Sequence, residues 1–263
     1  YCYICWQSTT MPKSSSIRNL KSKIQNGITQ DFDSGLSAQY SILIAGVDEV
    51  GRGALFGPVV AAAVVLPPSA LEKLVAAQIR DSKKLSSDRR LKLAAQICQV
   101  ALDWRIGFAT SAEIDRINIL QASLLAMKRA VLKLKIQPEL CLVDGKQPIK
   151  DLSIPQQAIV KGDEQSLAIA SASIVAKVWR DALITRLAVK YPQYDLATNK
   201  GYGTQRHLEG LQQYGPCHLH RLSFRPCQMK GVGSGESGVG SRESGDKGSV
   251  GRGGSNYRVP HYS

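Results

Sequence analysis

The sequence predicts an α/β protein built on a mixed sheet, and three observations carry that prediction. Five short apolar runs are bounded by Gly, Pro or a carboxylate, as buried strands are. Three longer segments read as helices, two of them with their apolar residues at helical spacing. The strand-like runs cluster first and then alternate with the helical segments, the order found in layered α/β folds.

"SILIAGVD" and "GPVVAAAVVL" open the series as two strands that pair across "EVGRGALF". "SSDRRLKLAAQICQVAL" follows as a helix, with Ser86 and Ser87 competent to cap it and Leu91, Ala94, Ala95, Cys98 and Leu102 on its apolar face. "WRIGFATS" is the third strand. "SAEIDRINILQASLLAMKRAVLKLKI" is an amphipathic helix through Ile114, Ile117, Leu120, Leu124, Leu125, Met127 and Val131, ending before Pro138. "LCLVDG" is a fourth strand ending at Asp144, and "QQAIVKGD" a fifth ending at Asp163. "SLAIASASIVAKVWRDALITRLAVKYP" is a long helix, rich in small residues at its start and stopped by Pro192.

The net charge of +13 favours a polyanionic partner, because Lys and Arg neutralise phosphates and release their counterions. Nucleic acid leads and an anionic membrane surface follows. No apolar run approaches the ~20 residues that span a bilayer, and no signal-peptide core is present, so no membrane association is expected. The six cysteines are scattered, and Cys98 and Cys141 sit in apolar segments where a reduced thiol acts as a small hydrophobe. That usage predicts a reducing, cytoplasmic setting. Cys2 and Cys5 form a lone C-x-x-C without a partner pair at zinc spacing.

Composition divides the chain into a basic, disordered extension over 1–40, a compact region over 41–227 and a Gly/Ser-rich tail over 228–263. The chain begins at Tyr1 rather than Met, which makes Met11 the expected natural start. Residues 11–30 are basic, Ser-rich and acid-free; import into an organelle is the alternative to cytoplasmic residence.

Three strand ends carry carboxylates: Asp48 with Glu49, Asp144, and Asp163. Strand ends in α/β sheets are where ligands are met, and acids converging there repel one another unless a cation lies among them. Hard oxygen ligands suit Mg²⁺ or Mn²⁺, and two such ions about 3.5 to 4 Å apart form a device for cleaving phosphodiesters. Each acid has a plainer alternative. Asp163 suits a helix N-cap and Asp144 a turn with Gly145. Asp48 and Glu49 are costly for a mere turn, but neighbours in an extended strand point to opposite faces. Both serve one site only if the strand bends, and Gly51 and Gly53 supply the expected bend. "GRGALFG" lacks the Gly-Lys-Ser/Thr ending of a P-loop.

Read in order, "AGVDEVGRGALFGPVVAAAVVL", "DSKKLS", "LVDGK", "VKGDEQSLAIASASIVAKVWRD", "NKGYGTQRHLEGLQQYG" and "HRLSF" resemble the ribonuclease HII (type 2 ribonuclease H) family, over about residues 43–227. The resemblance implies a ribonuclease H-like fold, a mixed five-stranded sheet flanked by helices with a helical C-terminal portion. It implies an endoribonuclease that hydrolyses the RNA strand of RNA/DNA hybrids and nicks 5′ to ribonucleotides embedded in duplex DNA, leaving 3′-OH and 5′-phosphate ends. Asp48, Glu49, Asp144 and Asp163 are then the catalytic carboxylates holding two Mn²⁺ or Mg²⁺ ions, with Asp181 as rival for the fourth place and otherwise a surface or salt-bridged residue. Gly51, Arg52 and Gly53 are implied to meet the ribose 2′-OH, Tyr202 to stack on the sugar at the ribo-to-deoxyribo junction, and Lys83 and Lys84 to hold phosphates. His220 and Arg221 support either the site or the C-terminal structure.

The related type III enzymes carry a sizeable N-terminal substrate-binding domain, which the polar 1–40 segment does not supply, so the resemblance favours type II. A monomer is expected. Another two-metal nuclease of the same fold, or a non-catalytic basic nucleic-acid-binding module, is the alternative.

Overall fold

The protein is seen in a computed structural model that describes residues 42–70, 74, 79 and 86–228. The extension over 1–40, Lys83, Lys84 and the tail beyond Gln228 lie outside the described residues.

Five strands form one sheet: β1 (Ile44–Val50), β2 (Val59–Val65), β3 (Asp103–Ala109), β4 (Leu140–Asp144) and β5 (Gln156–Ile159). Their order is β3-β2-β1-β4-β5. β1 runs antiparallel to β2 and β2 to β3, whereas β1, β4 and β5 run parallel, so the sheet is mixed as expected. β2 is "VVAAAVV" because both its faces are covered. Val59, Ala61, Ala63 and Val65 pack with α2 (Ser111–Leu132), through Ala122, Ala126 and Ala130. Ala62 and Val64 point the other way, into α1 (Ser87–Val100) and α4 (Leu167–Ala188). The period of two assigns each methyl to one layer.

The helix starts follow local capping chemistry. Ser86 caps α1 by accepting the Arg89 N–H, and Thr110 caps α2 in a reciprocal box with Glu113. α2 is not the single smooth helix its periodicity predicts. Asn118 stands at φ 66° and kinks it, while its side chain accepts the Gln121 N–H and restarts the next turn. With ψ at 165° the residue leaves the helical conformation altogether, and its short side chain caps the restarted helix locally.

The small-residue start of α4 is explained at Gly46 in β1, where a Cβ would overlap the backbone of Ala168 and Ile169. Strand and helix meet main chain to main chain, and any larger residue would push them apart. Beyond α4, the helical C-terminal portion comprises the 3₁₀ turn Pro192–Tyr194, α5 (Leu196–Asn199), α6 (Gln205–Tyr214) and the 3₁₀ turn Arg225–Gln228. Its Tyr194, Leu196 and Leu211 share an apolar cluster with Leu55 and Phe56 of the turn after β1 and with Ile184 of α4.

One predicted strand end moves. β5 stops at Ile159, and Lys161 in the left-handed region (φ 55°) turns the chain into α3 (Gly162–Gln165), which carries Asp163. Asp163 is not the cap of the long helix either; Ser166 caps α4 by accepting the Ile169 N–H. Among the described residues no helix is long and apolar enough to cross a membrane.

Candidate active site

β1 and β4 are parallel neighbours with Val47 opposite Val143, so their next residues, Asp48 and Asp144, stand side by side where β4 ends. α3 brings Asp163 to the same place, and the Gly162 N–H donates to Asp144 Oδ1 at 2.6 Å. Asp48, Glu49, Asp144 and Asp163 thus line one cleft of about 370 Å³, together with Val50, Arg90, Ser173, Ile174 and Lys177.

The expected bend between Asp48 and Glu49 is absent. Pairing with β2 runs unbroken through Asp48↔Ala62, Glu49↔Ala61 and Val50↔Val60. The reason both acids reach the cleft is instead that β4 stops at Asp144, which leaves the last residues of β1 without a neighbour on that side. The bend comes one residue after the strand, at Gly51 with φ 88°, a conformation that favours glycine.

Burial makes Asp48 and Glu49 reluctant to ionise. Asp48 is held well above the usual carboxylate range by burial first, then by the charges of Glu49 and Asp144; the Ser173 hydroxyl and the Glu49 N–H at 2.7 Å pull the other way. Glu49 is also raised by burial, although Arg52 Nη1 lies 3.1 Å from its Oε1. Its other oxygen, Oε2, is buried with no hydrogen-bond partner. An orphaned carboxylate oxygen in a cluster of acids is costly unless something cationic meets it.

The Gly51–Pro58 turn is pinned from behind by two arginines that are 0% exposed. Arg221 donates from Nη2 to the Gly51 carbonyl at 2.7 Å, from Nη1 to that of Arg52 at 2.7 Å and from Nε to that of Gly57 at 3.0 Å. Arg180 donates to the carbonyls of Pro58, Phe56 and Lys200 at 3.2, 3.1 and 2.9 Å. Arg180 thereby ties the turn to the loop that carries Tyr202. The Gly201 carbonyl strengthens that tie by accepting the N–H groups of Leu55 and Phe56 at 2.8 and 3.2 Å. The half-buried Tyr202 ring has Lys177 Nζ 5.8 Å and the Arg180 guanidinium 5.5 Å from its centre. Arg52 and Gly53 are exposed at the tip of the turn.

Asp181 is not among the residues that line the acids' cleft; it pairs at 2.8 Å with Lys177, which does. Sequence reasoning missed Ser173, Lys177, Arg90 and above all Arg180. A signal for Arg180 was present: Ala172, Ala176, Ile184 and Ala188 form a buried stripe of α4 at intervals of four, and Arg180 interrupts it. A charge on a buried stripe needs a dedicated set of partners.

The donor set is chemically suited to a hard divalent cation, with carboxylate oxygens and one orphaned buried oxygen. Among the described residues no three His, Cys, Asp and Glu side chains are gathered closely enough to hold an ion unaided. That is consistent with Mg²⁺ chemistry, in which one or two carboxylates, retained waters and substrate phosphates share the coordination.

A model of the ribonuclease HII family matches residues 45–227. The ribonuclease HII of Trichormus variabilis is 62% identical over 220 residues, which are 83% of this chain and 98% of that one. That of Trichodesmium erythraeum is 62% identical over 201 residues, 76% of this chain and 95% of its own. Among solved structures, ribonuclease H2 from Pyrococcus horikoshii OT3 is similar with a TM-score of 0.63 and 28% identity, covering 71% of this chain and 96% of that chain. The matched span takes in the four acids of the cleft, the Gly51–Gly53 turn and Tyr202, and the chain belongs to the ribonuclease HII family of metal-dependent endoribonucleases.

Proposed function

We propose that this chain, acting as a monomer, hydrolyses the RNA strand of RNA/DNA hybrids and nicks duplex DNA 5′ to an embedded ribonucleotide, leaving 3′-OH and 5′-phosphate ends. The observation that carries the reading is the direct continuity of two chemistries: the strand that bears Asp48 and Glu49 runs straight into Gly51, whose carbonyl and that of Arg52 are fixed by Arg221. A phosphate drawn to the acids' cleft would present its sugar to that turn. The 2′-OH distinguishes RNA from DNA, and a rigid main chain without side-chain bulk can approach it closely.

Asp48, Glu49, Asp144 and Asp163 would hold two divalent ions, Mg²⁺ or Mn²⁺. Bound there, the ions supply an activated water and offset charge developing on the leaving 3′-oxygen. The protein's own part is positional. β1 and β4 fix Asp48 beside Asp144, the Gly162 N–H orients Asp144, and Ser173 orients Asp48. Lys177, pinned by Asp181, adds a positive charge on the wall of the cleft where a phosphate would lie. A pure binding module gains nothing from buried acids facing phosphate.

The test is a duplex carrying one ribonucleotide, incubated with the protein and Mg²⁺ or Mn²⁺, with and without a chelator. Nicking 5′ to the ribonucleotide that the chelator stops is expected. Retention of the duplex without nicking would leave a binder, and nicking of all-DNA duplexes would leave a different nuclease.

A further inference from the structure

The proposed chemistry makes no use of two buried imidazoles in the C-terminal portion, His207 and His220, which are 0% and 1% exposed. Their ring nitrogens Nε2 lie 3.0 Å apart. At one end of the pair, His220 Nδ1 lies 3.0 Å from the main-chain N–H of Cys217, a group that can only donate. At the other, His207 Nδ1 lies 2.9 Å from the carbonyl oxygen of Tyr202, which can only accept.

These two ends admit one arrangement of protons. His220 must leave Nδ1 bare to accept from Cys217, so in the neutral ring its proton is on Nε2. That proton is donated to His207 Nε2, which places the His207 proton on Nδ1, where it is donated to Tyr202. Hydrogen bonds therefore run in a single direction: Cys217 N–H to His220, His220 to His207, His207 to the Tyr202 carbonyl. A second proton on either ring would set two N–H groups against each other. Burial favours the neutral form of both, pushing His207 down and His220 down to about 4.

The relay ends on the parts of the site that would meet the sugar. The Tyr202 residue it anchors follows Gly201, which is bonded to Leu55 and Phe56 of the glycine turn. The His220 ring stands edge-on to Phe56, with centroids 5.1 Å apart, and the two residues also form a β-bridge. Tyr194 packs edge-on against His220 at 4.6 Å, and its hydroxyl is occupied by the Gly215 carbonyl at 2.8 Å. The pair thus connects the rear of the glycine turn to the main chain of Tyr202.

We propose that His207 and His220 are positioning residues for ribonucleotide selection: their one-way hydrogen-bond relay sets the Tyr202 main chain against the Gly51–Phe56 turn, and preference for an embedded ribonucleotide depends on it. This rests on the proposed reading that the glycine turn and Tyr202 meet the ribose at the junction. The acids' cleft is not part of the relay, so cleavage inside a uniform RNA/DNA hybrid is much less dependent on it.

Two substitutions at His220 separate relay from mere packing. In His220→Asn the amide sits where Nδ1 was and still accepts from Cys217, but it is too short to donate to His207. In His220→Gln the amide reaches the Nε2 position and restores the donor. The measured quantity is the rate of nicking at a single embedded ribonucleotide divided by the rate on a uniform hybrid, which also reports that each variant is folded. The ratio should fall about tenfold in His220→Asn, a hydrogen-bond-sized loss, and stay within about threefold of the parent in His220→Gln. An unchanged ratio in His220→Asn, or equal losses in both variants, overturns the proposal. ¹⁵N NMR of the imidazoles in the unsubstituted protein tests the relay without any activity: the expected neutral tautomers are Nδ1–H for His207 and Nε2–H for His220, and any other assignment at neutral pH overturns it. If the unsubstituted protein nicks no embedded ribonucleotide while these tautomers are found, the junction reading falls and takes the selection role with it.

Discussion

Arg221 lies 2.7 Å from the carbonyl of Gly51, a residue 170 positions away, and its remaining guanidinium nitrogens hold the carbonyls of Arg52 and Gly57. One planar fork therefore fixes the turn's main chain from behind. The cost is a desolvated cation beside a second one: burial, then the charge of Arg180, pull Arg221 down to about 9. Lysine cannot reproduce a three-way fork. Arg221→Lys should destabilise by about 3 kcal/mol, the scale for breaking a buried charged contact. By thermal melting that is a loss of roughly 6–12 °C in Tm for a domain of this size. The exposed Arg186→Lys should stay within about 0.5 kcal/mol; equal Tm values for the two variants would refute the pinning role.

Asp48 illustrates a site kept at the expense of stability. Its pKa is raised by burial, by Glu49 and by Asp144, so between the unfolded value and the raised one the folded protein binds more protons than the unfolded chain. Stability in the absence of metal then falls as pH rises through that window, and the penalty persists at neutral pH. Asp48→Asn removes the charge and keeps the shape. Without divalent ions at pH 7 its Tm should rise by about 2–4 °C, corresponding to roughly 1 kcal/mol, while cleavage is abolished. Adding Mg²⁺ or Mn²⁺ should raise the parent's Tm more than the variant's. A lower Tm for metal-free Asp48→Asn would contradict the electrostatic account.

Much of this was legible in the sequence because it depends on local pattern. β2 announced itself as seven apolar residues, and α4 as a long run, rich in small residues at its start and stopped by Pro192. Asp48 and Asp144 were visible because acids that end apolar runs are conspicuous. What stayed hidden depends on contacts distant in sequence or on single backbone angles. The left-handed angle at Lys161 moves Asp163 from a strand end into a short helix, and nothing in "VKGD" announces it. The unbroken ladder through Glu49 and Val50 could not be read because strand length is set by the partner, here β2. Arg180 and Arg221 bond to main-chain carbonyls, which every residue has, so no side-chain pattern marks their targets.

The start of α2 offers a stability test away from the site. Hydrogen bonds from Arg129, then from the Thr110 N–H and hydroxyl, hold Glu113 down to about 2. Because the folded value is below the unfolded one, this group stabilises at pH values above about 4.5 and the contribution is lost as pH falls from there toward 2. Glu113→Gln keeps one capping hydrogen bond but loses the ion pair with Arg129 at 2.7 Å. At pH 7 it should cost about 0.5–1 kcal/mol, the scale for losing a partly exposed ion pair. The difference from the parent should shrink steadily as pH is lowered below 4. A difference independent of pH would mean that shape alone, and not charge, is at stake.

Under the proposed function, Tyr202 is the aromatic that would stack on the sugar. Its ring is half-buried, with Lys177 Nζ 5.8 Å and the Arg180 guanidinium 5.5 Å from its centre, and its main chain is bonded to Asn199, Thr204 and His207. Cations near an aromatic face hold the ring without covering it completely, which leaves surface for stacking. Tyr202→Ala should lower nicking at a single embedded ribonucleotide on the order of tenfold, within the range measured for aromatic stacking on nucleic acid. Tyr202→Phe keeps the ring and should keep most of that rate. On a uniform hybrid, where successive ribonucleotides offer many registers, Tyr202→Ala should lose much less. Both variants should melt near the parent, because the ring is not part of the apolar cluster of Phe56, Tyr194 and Leu211. Full nicking activity in Tyr202→Ala would remove the ring from junction recognition and leave the glycine turn to read the ribose alone.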